Sequence, residues 1–194
     1  MDIPAEILEK LQQYRKLLLK WQESINLIGP STVDSAWQRH FLDSVQLLKY
    51  IPDDVESLAD IGTGAGFPGM VLAMLRPDLT VYLVDSDAKK CEFLKTVSRE
   101  TNTPVKIVNE RIEKTYQKMR VDFVTARALA NLQKLMGHMH GYNATRGLFL
   151  KGQAYEEEVG MAKRDFDFSY EVFPSAVSEE GVVLSVQIED PVYQ

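Results

Sequence analysis

Residues 60–69 read Asp60-Ile61-Gly62-Thr63-Gly64-Ala65-Gly66-Phe67-Pro68-Gly69. Three alternating glycines and a fourth behind a proline exceed what an ordinary turn needs. Glycine adopts positive φ without a Cβ penalty and lets a ligand lie against bare backbone. The stretch stands between a short apolar run, SLADI (57–61), and a helical pattern that continues to about Arg76. The carboxyl end of the first strand is where open α/β sheets bind ligands. Downstream the pattern repeats. TVYLV (80–84) precedes a helix over 87–100, and VKIVN (105–109) a short helix near 111–118. VDFVTA (121–126) precedes a helix over 130–140, and GLFLK (147–151) a polar helix over 154–165. FSYEVF (168–173) and GVVLSVQI (181–188) then follow one another with only a short loop between them. Strands alternating with helices predict a mainly parallel sheet covered on both faces. The closing pair predicts an antiparallel edge. The expected fold is α/β: a Rossmann-like, seven-stranded, mostly parallel sheet with a C-terminal antiparallel strand pair.

Upstream, Ile7, Leu8, Leu11, Leu18 and Trp21 recur at three- and four-residue spacing, which predicts a helix over 4–22. Gly29-Pro30 ends that region. Ser31 or Thr32 can cap a second helix over about 33–50, with Val33, Trp37, Phe41, Val45 and Leu48 along one side. Residues 1–52 are read as an N-terminal helical extension packed on a core of residues 53–194, effectively one domain.

Composition narrows the class. The chain has 194 residues, 45% of them apolar, and a net charge of −6. No run of 18 apolar residues occurs, so no membrane span is expected. The opening MDIPAEILEK has no basic stretch followed by an apolar one, so no secretory leader is expected and a cytoplasmic location is. Cys91 is the single cysteine, which excludes a disulfide framework and a cysteine-built metal site. His138 and His140 form an H-x-H pair without further histidines or cysteines nearby, and no metal is expected. The acidic total hides an uneven distribution. Residues 101–150 carry eight basic side chains against three acidic, and residues 151–194 three against ten. Net charge alone therefore does not exclude a nucleic-acid partner.

Two ligands match the glycine loop. Gly64-x-Gly66-x-x-Gly69 with Asp85 fits a dinucleotide fingerprint, and hence an NAD(P)-dependent oxidoreductase. Gly62-x-Gly64-x-Gly66 behind Asp60 fits the S-adenosylmethionine (SAM) loop of methyltransferases. Asp85, ending the second strand, can meet a ribose diol in either case. The remainder of the chain favours SAM. Completing one sheet uses all of it, whereas an oxidoreductase needs a second region for its substrate. A non-catalytic SAM-binding protein of the ribosome is the third possibility.

Several segments occur together in a characteristic order: WQESINL (21–27), Arg39-His40-Phe41-Leu42-Asp43-Ser44, DIGTGAGFPG (60–69), VDSDAKKCEFL (84–94), Arg111-Ile112-Glu113, Ala126-Arg127-Ala128 and Lys151-Gly152. In these segments, from about residue 14 to 152, the chain resembles the RsmG (GidB) family of bacterial 16S rRNA methyltransferases. The resemblance implies a class I SAM-dependent fold. It also implies methyl transfer to the 7-nitrogen of a guanosine in the decoding-region loop of 16S rRNA. The partner would be the small ribosomal subunit or an assembly intermediate, and the enzyme a monomer. It further implies that Gly62, Phe67, Ile112, Glu113 and Arg127 hold the cofactor. The chain departs from the family at Ala126, where serine is frequent, and in its acidic C-terminal segment.

The residues agree with that chemistry. A guanine 7-nitrogen has an in-plane lone pair and no hydrogen, so it needs no general base. No Asn/Asp-Pro-Pro-aromatic motif for amino-group methylation is present, and no Pro-Cys pair for attack on cytosine carbon. Cys91 is expected to pack inside a helix. Gly62, Gly64 and Asp85 are candidate cofactor contacts. Asp60 can either face the cofactor or fasten the loop amides. Arg39, His40, Asp43, Ser44, Arg127 and Lys151 are candidate positioning residues, with His40 orienting rather than transferring a proton. The plainer alternatives are an Arg39–Asp43 helix pair, an Arg127–Glu113 pair and a solvated Lys151. RNA phosphate is expected to meet some of Arg15, Lys16, Lys20, Arg39, Arg111, Arg127, Arg146 and Lys151.

Overall fold

The computed structural model describes residues 3–189; residues 1–2 and the end of the acidic tail, 190–194, lie outside them. Helix α1 (Ala5–Gln22) is followed by a 3-10 turn at Pro30–Thr32 and then a longer helical run. That run starts as a π-helix (Trp37–Leu42), passes through one α-turn, α2 (Asp43–Val45), and ends in a 3-10 segment (Gln46–Tyr50). The core follows as β1 (Ser57–Ile61), α3 (Gly69–Leu75), β2 (Thr80–Asp85), α4 (Ala88–Glu100) and β3 (Lys106–Asn109). It continues as a 3-10 turn (Ile112–Lys114), β4 (Phe123–Arg127), α5 (Leu132–Tyr142), β5 (Arg146–Lys151), α6 (Tyr155–Ala162), β6 (Phe168–Pro174) and β7 (Val182–Ile188).

The strands form one sheet in the order β3-β2-β1-β4-β5-β7-β6. The first five are parallel, and β7 runs antiparallel to both β5 and β6. The expected seven-stranded sheet with its antiparallel closing pair is present. β1 and β4 are mostly apolar because helices cover both faces, and their residues are almost all buried. Sequence caps set the helix ends. The Asp87 carboxylate accepts from the amides of Lys89 and Lys90 at the start of α4, and Asn131 accepts from Lys134 at the start of α5. Asn143 closes α5 in the left-handed conformation, φ 56°.

The second helix differs from the uniform one expected. It begins at Trp37 rather than 33 and opens in a widened turn. Within it the Ser44 hydroxyl bonds back to the His40 carbonyl at 2.6 Å, a local bond that competes with regular helix geometry. Leu11, Leu18 and Phe41 from the N-terminal helices are buried in the same cluster as Leu58, Met70 and Phe93 of the core. A second cluster, with Met136, Tyr142, Phe149 and Leu184, covers the other face of the sheet. Among the described residues, no helix is long and apolar enough to cross a membrane.

Candidate active site

Strand order reverses between β1 and β4, which opens a crevice at their carboxyl ends. The glycine loop fills the floor of that crevice. Gly62, Gly64 and Gly66 hold φ of 63°, 58° and 99°, the left-handed region that favours glycine. Two buried groups fasten the loop from behind. Asp60 is fully buried: Oδ2 accepts from the Gly69 amide at 2.9 Å and from the Thr63 hydroxyl, and Oδ1 accepts from Thr125 at 3.0 Å. Of its two sequence readings, the geometry supports the loop-fastening one, since Asp60 is absent from the cavity wall. Burial pushes its carboxyl up to about 6, against the three hydrogen bonds that favour its charged form. Tyr14 of α1 is the second fastener. Its hydroxyl donates to the Ala65 carbonyl, and its ring stacks on Phe67 at 5.3 Å and 13°. Sequence reasoning missed Tyr14. The available signal was a polar-tipped aromatic on the buried face of α1, between Leu11 and Leu18.

Above the loop lies a cavity of about 1000 Å³. Its walls come from the Leu27–Gly29 loop, from Arg39, His40 and Asp43, from residues 127–130 after β4, from residues 150–153 after β5, and from the β6–β7 hairpin around Ser175–Val182. The expected site residues Gly62, Gly64, Phe67, Arg127, Arg39, His40, Asp43 and Lys151 all line it.

A hydrogen-bond chain crosses this cavity wall. Arg127 Nη1 lies 2.5 Å from His40 Nδ1, and Thr32 Oγ1 lies 2.8 Å from His40 Nε2. A guanidinium can only donate, so Nδ1 accepts and the ring is neutral; Nε2–H then donates to Thr32, whose hydroxyl donates to the Gly29 carbonyl at 2.8 Å. Burial, reinforced by the charges of Arg127 and Arg39, lowers the imidazole to about 4. Both ring nitrogens are committed, to Arg127 and Thr32. Arg127 also donates to the Arg39 carbonyl at 3.1 Å and lies over the Phe67 ring at 5.2 Å, against which His40 stacks at 5.3 Å.

Other expectations are corrected. Arg39 and Asp43 form no helix pair, because Asp43 Oδ1 accepts from Gln46 at 2.7 Å instead. Arg127 does not pair with Glu113, because it turns toward His40. Lys151 is not solvated: it pairs with Glu158 at 2.6 Å and donates to the Ala130 carbonyl at 2.7 Å, with its side chain 8% exposed. Ser44 is buried and serves the helix backbone. Arg146 sits at the start of β5, the end of the sheet away from the cavity, paired with Asp54 at 2.9 Å. Asp85, Ile112 and Glu113 are not on the cavity wall. Asp85 stands behind the loop, where Oδ2 accepts from the Gly64 amide and Oδ1 from the Asp87 amide, both at 2.9 Å. Ile112 packs against the second apolar cluster. Cys91 is buried in α4, as expected for a packing role, and burial raises its thiol. His138 is buried against Tyr116, at 2.5 Å, and among the described residues no three metal-ligating side chains cluster. The roles of Thr32 and the hairpin tip in the cavity wall, and of Gln46, were also missed, because their partners are distant in the chain or lie in loops.

The residues present fit SAM. The loop offers bare backbone, and a Cβ at Gly64 would meet nothing closer than 3.9 Å. The GidB family model, described as rRNA small subunit methyltransferase G, matches residues 7–182. The chain is 45% identical over 188 residues to the ribosomal RNA small subunit methyltransferase G of Paramagnetospirillum magneticum, covering 95% of this chain and 90% of that one. It is 40% identical over 187 residues to the protein of that name from Rickettsia rickettsii (strain Sheila Smith), covering 96% of each. A SAM-dependent methyltransferase from Aquifex aeolicus shares the fold, with a TM-score of 0.62 at 18% identity over 83% of this chain and 99% of that one. These matches set aside the NAD(P) alternative. The chain belongs to the GidB family, the rRNA small subunit methyltransferase G proteins, and is a SAM-dependent methyltransferase of class I fold.

Proposed function

We propose that this protein methylates the 7-nitrogen of a guanosine in the decoding-region loop of 16S rRNA. In this reading it acts as a cytoplasmic monomer on the small ribosomal subunit or an assembly intermediate, with residues 1–52 and 53–194 working as one domain. Relatives named for small-subunit rRNA methylation support the substrate class. The commitment of both nitrogens of His40, the histidine in the cavity wall, supports the choice of atom. An exocyclic amine or a hydroxyl needs its proton removed, whereas the guanine 7-nitrogen has none to lose.

Bound SAM supplies a methyl group activated by its sulfonium charge. Gly62, Gly64 and Phe67 would hold it from the floor, and its nucleoside would extend past the cavity wall at Gly64 to reach Asp85, Ile112 and Glu113 at the β2 and β3 ends. Asp60 and Tyr14 act beneath, by fixing the loop. Arg127, held by His40, borders the space where a base would enter. Alignment and exclusion of water are the whole catalytic task under this reading. Arg15, Lys16, Lys20, Arg39 and Arg111 are exposed and are the proposed phosphate contacts.

The test incubates the protein with labelled SAM and small subunits from a strain lacking the gene, then maps the label by mass spectrometry. A single 7-methylguanosine in the decoding-region loop is expected. Label on another atom overturns the choice of atom. No label in 16S rRNA overturns the enzyme reading in favour of a non-catalytic SAM-binding protein.

A further inference from the structure

We propose that Asp43 reads the Watson–Crick donor edge of the target guanine, and that its hold on that edge tightens as the methyl group arrives. This rests on the guanine-7 reading above.

Asp43 is the acidic side chain that the helical run contributes to the cavity wall, beside Arg39 and His40. Burial raises its carboxyl, against the charges of Arg127 and Arg39, and among the described residues it forms no ion pair. Its orientation is fixed instead by neutral groups from both ends of the chain. Oδ1 accepts from Gln46 Nε2 at 2.7 Å. Gln46 is itself buried; its Nε2 lies 3.2 Å from the Ser175 hydroxyl, and its Oε1 accepts from the Ala176 amide at 2.8 Å. The β6–β7 hairpin is thereby tied to the carboxylate, and both line one cavity. Ser175 is a second donor beside the carboxylate, and two donors leave part of its acceptor capacity unused.

An oriented carboxylate with spare acceptor capacity takes a donor edge, because an ionised carboxyl can only accept. Guanine presents N1–H and the N2 amino group side by side, which match two carboxylate oxygens. Adenine presents a bare N1 at that place and would leave the carboxylate facing a lone pair. Bases taken out of a helix are read on this edge.

The methyl transfer itself gives the contact its leverage. The N7 lone pair forms the new N–C bond, the C–S pair returns to sulfur, and no proton leaves N7. The guanine ring gains the positive charge that sulfur loses. Its N1–H becomes a stronger donor, so its bond to the Asp43 carboxylate strengthens between ground and transition states. An interaction that strengthens there raises kcat more than it lowers KM.

The experiment compares wild type with Asp43→Asn, which keeps the shape of the side chain and an acceptor for Gln46. On unmethylated small subunits, kcat is expected to fall about ten-fold or more, about 1.4 kcal/mol of transition-state stabilisation. SAM affinity by calorimetry and the melting temperature should stay near wild type. If Asp43→Asn melts early, Asp43→Ser takes its place in the same measurements. An unchanged kcat overturns the proposal. So does a loss of SAM affinity that accounts for the whole decline, which would assign Asp43 to the cofactor's amino group. Mapping the wild-type product separates the two readings. Methyl at guanine N7 with an indifferent Asp43 variant sinks this inference alone; methyl elsewhere sinks the guanine-7 reading.

Discussion

Arg127 donates to His40 Nδ1 at 2.5 Å across 87 positions of sequence, and this bond joins the end of β4 to the N-terminal helical run. It also fixes the charge state of the imidazole. A protonated ring would place two cations against each other, which is one reason the imidazole titrates at about 4.

The rate should therefore show no inflection near 6.5. Between pH 5.5 and 8, kcat is expected to vary without a histidine step, and a step near 6.5 that His40→Gln removes would contradict the assignment. Stability follows a definite sign. The unfolded histidine binds a proton at 6.5 and the folded one only at about 4, so lowering the pH through that window destabilises the fold. Asp60 acts oppositely: its folded value of about 6 exceeds the unfolded 3.8, so its contribution is lost as pH rises through 6. His40→Gln retains a carbonyl acceptor for Arg127 and should keep most activity. His40→Leu leaves that donor unpaired and should cost about 1–3 kcal/mol.

The glycines are not equivalent. A Cβ at Gly64 meets open space, so Gly64→Ala should cost only about 1 kcal/mol of backbone strain while weakening SAM binding. A Cβ at Gly66 would lie 2.5 Å from the Tyr14 hydroxyl, and one at Gly69 2.6 Å from Asp60 Cβ. Gly66→Ala and Gly69→Ala should therefore lower the melting temperature before any effect on binding is seen. Circular dichroism melts beside SAM calorimetry test this; equal melting of all three variants would refute the distinction.

Much of this was legible in the chain. The strand–helix alternation and the closing pair gave the sheet, because short apolar runs between helical patterns are local signals. Gly62, Gly64 and Gly66 gave the loop, because positive φ has a residue signature. The pairings of Lys151 with Glu158 and of Arg146 with Asp54 were not legible, because those partners are set by tertiary packing. Tyr14 was missed for the same reason: its partner Ala65 is 51 positions away, and a tyrosine on a helix stripe reads as core.

Tyr14→Phe isolates the hydroxyl that pins the loop. The ring stack on Phe67 survives, but the Ala65 carbonyl loses its donor. Losing about 1–2 kcal/mol of loop ordering corresponds to SAM binding weaker by roughly 5- to 30-fold. KM for small subunits should not change. Calorimetry well below the melting temperature reads the effect, and wild-type SAM affinity would show that the loop holds its shape without the Tyr14 hydroxyl.

Lys151 provides the sharpest contrast between an RNA contact and an internal tie. Glu158 Oε2 accepts both from Lys151 at 2.6 Å and from the Leu132 amide at 2.7 Å, so the pair secures the start of α5. Lys151→Met leaves Glu158 partly buried without its cation and should cost about 2–3 kcal/mol of stability. Adding Glu158→Gln should return most of that, since the amide oxygen still serves Leu132 and no charge is left unpaired. Subunit binding should keep its salt dependence in both variants. A phosphate contact would instead lower the slope of log affinity against log salt by about one, leave stability nearly unchanged, and gain nothing from the second substitution.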